Sequence, residues 1–149
     1  VKEYDMAPNR GADAGTDVID ILTADHREMV GLIEVIEETA DPEERRALAD
    51  SVIAEVMRHS VAEELFVYPE YERSIPGGTE EVDHDKEEHQ EIEVVMKRLE
   101  GVDSGSAEFL AVAKRLKELL EHHADGRFVV DVQNVGHARG KNSLGRGCR

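Results

Sequence analysis

Apolar residues recur at steps of three and four in four separate runs of this chain, and each run carries a histidine where the pattern asks for a hydrophobe. The first run is Ile19, Leu22, Met29, Ile33 and Ile36, with His26 in line between Leu22 and Met29. Steps of three and four are the seam of a helix that buries one face in a bundle. The pattern predicts a helix from about Asp17 to Thr39, with Thr16 or Asp17 as N-cap.

The second run starts at Asp41-Pro42-Glu43-Glu44, a capping side chain followed by proline at the first helical position and an acid three residues after the cap. Its stripe is Leu48, Val52, Val56, His59, Glu63 and Phe66, so a histidine and a carboxylate both stand on the apolar line. Pro69 has no N–H to give and is expected to bend or end this helix, and Ser74 to Gly78 reads as a loop. Thr79 can cap a third helix carrying Val82, Asp85, His89, Ile92, Met96 and Leu99, which stops at Gly101. After Ser104-Gly105-Ser106 the fourth carries Phe109, Ala113, Leu116, Leu120 and His123.

Short connections make sequential helices antiparallel neighbours, so the expected fold is all-α, an antiparallel up-down-up-down four-helix bundle over residues 16–125. A polar, flexible segment is expected over 1–15. From Gly126 the character changes: five glycines and five basic residues with one acid, Asp131, predict an irregular or disordered basic tail over 126–149.

Composition narrows the class. A chain of 149 residues suits one domain with a proper core. With 35% charged and 4% aromatic residues and no Trp, it suits amphipathic helices better than a β-sandwich. The formal net charge of −16 repels nucleic acid and anionic membrane, so neither is expected as a partner, and it attracts cations. Cys148 is the single cysteine, which excludes an internal disulfide and leaves thiolate metal chemistry without a ligand set. No apolar run reaches about 18 residues and Val1 to Met6 has no basic start followed by an apolar core, so a cytoplasmic location is expected.

One histidine on an apolar face is more often a hydrogen-bonded core residue than a ligand. Four helices each contributing one shifts the balance to a metal site, because four buried imidazoles would otherwise each need a separate partner. His59 and Glu63, four apart, differ by about 40° around a helix and can address one ion. Imidazole with carboxylate suits iron, manganese or zinc, and a carboxylate can bridge two ions. His84 and His89, five apart, differ by about 140°, which is poor for one ion and acceptable for two adjacent ions or a locally bulged turn. His89 is on the stripe; His84 lies off it, with Glu88 four residues on. Tyr68 and Tyr71 read as wedges at the end of helix two, with Tyr68 alternatively reaching a metal or a bound oxygen species. The acidic run from Glu80 to Glu88 reads as a solvated face, His122 as a shoulder residue and His137 as part of the tail.

Three stretches then carry a family resemblance. Asp25-His26-Arg27-Glu28, the run Arg58-His59-Ser60-Val61-Ala62-Glu63-Glu64 with Tyr68-Pro69, and Asp83-His84-Asp85-Lys86-Glu87-Glu88-His89 resemble the hemerythrin-like HHE cation-binding domains. The resemblance covers about residues 17 to 125. It implies two iron ions in a non-haem di-iron centre, oxo- or hydroxo-bridged, inside the bundle. The ligands it implies are His26, His59, Glu63, His89 with His84 as a further candidate, and His123. It also implies a small oxygen or nitrogen-oxide ligand, with binding of or reaction with oxygen, peroxide or nitric oxide. An iron-holding or iron-responsive module without turnover is the alternative. The chain departs from the family at its fourth helix: the carboxylate that should come four residues after His123 is replaced by Arg127, and Asp125 is the nearest acid. The abrupt change at Gly126 raises the hypothesis of an altered reading frame, which the coding DNA read in three frames would test.

Overall fold

The computed structural model describes residues 18–124. The elements are α1 (Val18–Glu38), α2 (Pro42–Ala62), a π-helical turn (Glu63–Val67), α3 (Tyr68–Ser74), α4 (Gly78–Gly101) and α5 (Ala107–Ala124). Because α2, the π turn and α3 succeed one another without a loop, the described residues form four helical rods and no strand. Helix α1 packs on α2 and α5, and α4 on α5 and α2, so the rods close into a ring in chain order. Asp25 near the start of α1 meets His59 near the end of α2, and Asp85 near the start of α4 meets His123 near the end of α5. Neighbours are therefore antiparallel, and the expected all-α bundle is the fold. The 1–15 segment, the 126–149 tail, Asp125, Arg127, His137 and Cys148 lie outside the described residues. No described helix is long and apolar enough to cross a membrane.

Local chemistry sets the corners. Asp41 caps α2 by accepting from Glu43 N at 2.9 Å with Pro42 in the first turn, and Ser106 Oγ accepts from Phe109 N at 3.1 Å at the start of α5. At the opposite end from the histidines, the Arg46 guanidinium donates to the Leu99 and Val102 carbonyls and lies over the Phe109 ring, tying α2 to the exit of α4.

Two expectations from the pattern are corrected. Pro69 does not end the second rod. Tyr68 N–H donates to Glu63 O, five residues back, and Pro69 falls in the first turn of α3, where a missing donor costs little. The extra residue in the π turn rotates the remainder of the rod by about 100°. The stripe therefore continues from Glu63 to Val67 and Tyr68, and Phe66, expected on the buried line, is 74% exposed. The second correction is at the third rod, where Thr79 does not cap. Gly77 takes that place with φ +82°, a left-handed conformation that favours glycine. Gly78 comes next at a close approach, where a Cβ would lie 2.8 Å from the Tyr71 carbonyl oxygen.

The interior is two apolar clusters with a polar layer between them. The larger unites Met29, Ile33, Val52, Val56, Ile92, Leu116, Leu120 and their neighbours from all four rods. The smaller is Leu22, Val67, Tyr68, Tyr71 and Val82. Along each of the first three rods the residues between the clusters are polar: His26, then His59 and Glu63, then Asp85 and His89. His123 comes after Leu120 at the same level on α5.

Candidate metal centre

The polar layer brings together six side chains that are each buried: His26, His59, Glu63, Asp85, His89 and His123. The ring centroid of His26 lies 4.3 Å from that of His59 and 5.2 Å from that of His123, and His89 is 4.8 Å from His123. Glu63 is at the middle. Its Oε1 is 3.4 Å from His59 Nε2, and its Oε2 is 3.1 Å from His89 Nε2 and 3.7 Å from His123 Nε2. His59 and Glu63 share a face because they are one turn apart at the junction of α2 with the π turn.

Two overlapping donor sets result. His26, His59, Glu63 and His123 offer ligand atoms all within 4.8 Å of one another, and so do Glu63, Asp85, His89 and His123. Glu63 and His123 belong to both. Further polar contacts surround and link these side chains. Asp25 Oδ2 is 3.4 Å from His59 Nδ1 and 3.1 Å from the Arg58 guanidinium. His123 Nδ1 lies 3.1 Å from Asp85 and 3.0 Å from Glu88, and Tyr68 donates its hydroxyl hydrogen to Asp85 while sitting 3.4 Å from His89 Nε2.

Charge in the layer is strongly coupled. Burial works against ionised Glu63, but the imidazoles of His123, His59 and His89 facing it outweigh burial and hold its carboxyl well below the usual range. Burial, helped by repulsion from His59 and His123, pushes His26 down to about 4. His123 is raised to about 11 against its burial, because Asp85, Glu63 and Glu88 face it. His59 is likewise raised despite burial, by Asp25 and Glu63, and burial together with Glu63 and Asp85 drives the Tyr68 hydroxyl upward, so it stays protonated.

The chemistry of the set fits a cation. His26 Nε2 is fully buried and has no hydrogen-bond partner, and the equally buried His59 Nε2 and Glu63 Oε2 face only other members of the layer without a well-aligned hydrogen bond, an arrangement that favours an electrophile among those lone pairs. Imidazole nitrogens and carboxylate oxygens are the donors of iron, manganese and zinc sites, and the His–Glu cluster is able to hold metal.

Of the sequence candidates, the structure gathers His26, His59, Glu63, His89 and His123. It does not bring His84 to them. That side chain is 68% exposed and faces Glu88 at 3.6 Å, since the one-residue offset from Asp85 turns it about 100° away from the buried line. His122 is likewise on the surface, 3.2 Å from Glu88. The ligand candidate that sequence reasoning missed is Asp85. Its signal was available: it stands on the buried stripe, four residues before His89, the same spacing as His59 and Glu63.

The sequence profile described as hemerythrin HHE cation binding domain matches residues 17–126. The chain belongs to this hemerythrin family. Among curated proteins, this hemerythrin-like chain is similar to an uncharacterized hemerythrin-like protein of Schizosaccharomyces pombe, 27% identical over 111 residues. That match takes in 74% of the present chain and 55% of the yeast protein, so the chain spans about half the length of its relative. No solved structure matches it.

Proposed function

We propose that this hemerythrin-like domain holds two iron ions and uses them to bind or react with oxygen, peroxide or nitric oxide. The observation that carries this reading is the pair of overlapping four-residue donor sets with Glu63 in both. In this reading His26, His59, Asp85 and His89 would hold the ions together with Glu63 and His123, the two residues common to both donor sets. When bound, the irons supply a Lewis-acidic centre that can change oxidation state.

The chain's own residues do the rest. Asp25 holds the His59 ring from its far side, and Glu88 does the same for His123; such partners fix ring orientation and raise ligand basicity. Met29, Val56, Ile92 and Leu120 on one side and Leu22, Val67, Tyr68 and Val82 on the other keep bulk water from both faces of the layer. Tyr68 keeps its proton and directs it at Asp85, setting that carboxylate's orientation.

The test is metal identity and stoichiometry per chain after expression in iron-rich medium, read with an ultraviolet-visible spectrum before and after exposure to oxygen, peroxide and nitric oxide. The expected result is two irons and a spectral response to at least one of the three. Iron content near zero overturns the proposal, and iron without any response leaves the holding module as the function in its place.

A further inference from the structure

A cleft of about 550 Å³ opens between α1 and α5. Its walls include Thr23 and Ala124, and among its lining residues His26 alone is buried, with 3% of its surface exposed. His26 therefore forms the floor, and its Nε2 is one of the buried atoms without a hydrogen-bond partner. The rim carries two exposed carboxylates, Glu34 from α1 and Glu121 from α5, against one cation, Arg27. Lys117, a further cation on this face, is paired with Glu37 at 2.7 Å and also lies close enough to Glu34 and Glu121 to feel their charge.

We propose that this cleft is the loading path of the metal centre: a divalent cation is gathered by Glu34 and Glu121 and handed to Nε2 of His26. The inference rests on the reading of the buried layer as a metal site. The two apolar clusters close the layer along the bundle axis, and the Arg58–Asp25 pair covers the seam between α1 and α2. A negative rim over a low-dielectric opening raises the local concentration of cations and their arrival rate. The same rim explains why a cleft ending on a ligand would be lined by acids of two different helices.

Gly31 provides a clean block. It lines the cleft, and a Cβ added to it meets nothing within 4 Å, so Gly31→Phe narrows the opening without a backbone clash and removes a poor helix former from α1. The experiment tracks anaerobic uptake of ferrous ion by metal-free protein, with a chromophoric chelator reading unbound ion, and records final stoichiometry separately. Gly31→Phe is expected to slow uptake about tenfold with unchanged stoichiometry. The Glu34→Gln, Glu121→Gln double variant is expected to slow it about twofold to fivefold at low salt and to match wild type at high salt, while Arg27→Gln speeds it. Wild-type rates in both the Gly31 and the double-glutamate variants overturn the path and leave the metal site standing. Equal slowing by His122→Gln, on the α4–α5 face, also overturns it. Failure of wild-type protein to take up ferrous ion overturns the metal site and the path together.

Discussion

Asp25 Oδ2 lies 3.4 Å from Nδ1 of His59, while Nε2 of the same ring faces Glu63 at 3.4 Å. The ring is held from one side and presents its other nitrogen to the buried layer, the arrangement that orients a metal-binding imidazole. Asp25→Ala is therefore expected to lower metal affinity about 10- to 100-fold while leaving the helical content intact. Competition against a chelator of known affinity, with circular dichroism on the same samples, checks it; unchanged affinity would mean that Asp25 does not position the His59 ring for metal.

His59 and Glu63 carry more weight than Asp25, since both are buried members of a four-residue donor set to which Asp25 does not belong. His59→Ala is expected to abolish tight iron binding, whereas His84→Ala, at a side chain 68% exposed and away from the layer, leaves stoichiometry unchanged. Metal analysis of the two purified variants decides. Full retention of two irons in His59→Ala would place the site elsewhere.

The metal-free protein has a pH dependence whose signs come from two histidines moved in opposite directions. His26, at about 4 when folded, refuses a proton that the unfolded chain accepts near 6.5, so its contribution falls as pH drops from 6.5 toward 4. His123, at about 11 when folded, contributes fully below 6.5 and its contribution is lost as pH rises from 6.5 to about 11. Glu63, held below its usual range, adds to the acid limb, because its contribution is present above about 4.5 and lost on further acidification. Thermal melts of apo protein across pH are expected to peak between these limbs. Since His123 must lose its proton to ligate, metal uptake near pH 8 should release protons, measurable by calorimetry in buffers of different ionisation enthalpy. Uptake without proton release would exclude His123 as a ligand.

The π turn reverses the burial that the stripe suggests for two adjacent residues. Phe66→Ala, at an exposed position, is expected to change stability by no more than about 0.5 kcal/mol. Val67→Ala removes buried surface from the smaller apolar cluster and should cost roughly 1–2 kcal/mol. Urea unfolding of the metal-free variants measures both, and a larger loss at Phe66 would mean that the second rod is a continuous α-helix through this region.

How far the chain could be read without its structure differs by level. The four amphipathic stripes, the Asp41-Pro42 start and the short connections sufficed for the bundle, because three- and four-residue spacing is a local property of a helix that must bury one face. The same stripes marked His26, His59, Glu63, His89 and His123 as polar residues on buried lines, and the His59–Glu63 spacing put two of them on one face. Periodicity is one-dimensional, however. It carries no information on how far each rod is rotated or raised against its neighbours, and an inserted residue in a turn resets the phase silently. Only the packed helices show that the π turn turns Phe66 outward and Tyr68 inward, that Asp85 rather than His84 points at His123, and that Glu63 lies within reach of three imidazoles from three rods. Those are distances between residues far apart in the chain, set by which apolar faces interlock, and it is there that a row of in-line histidines becomes a single enclosed layer.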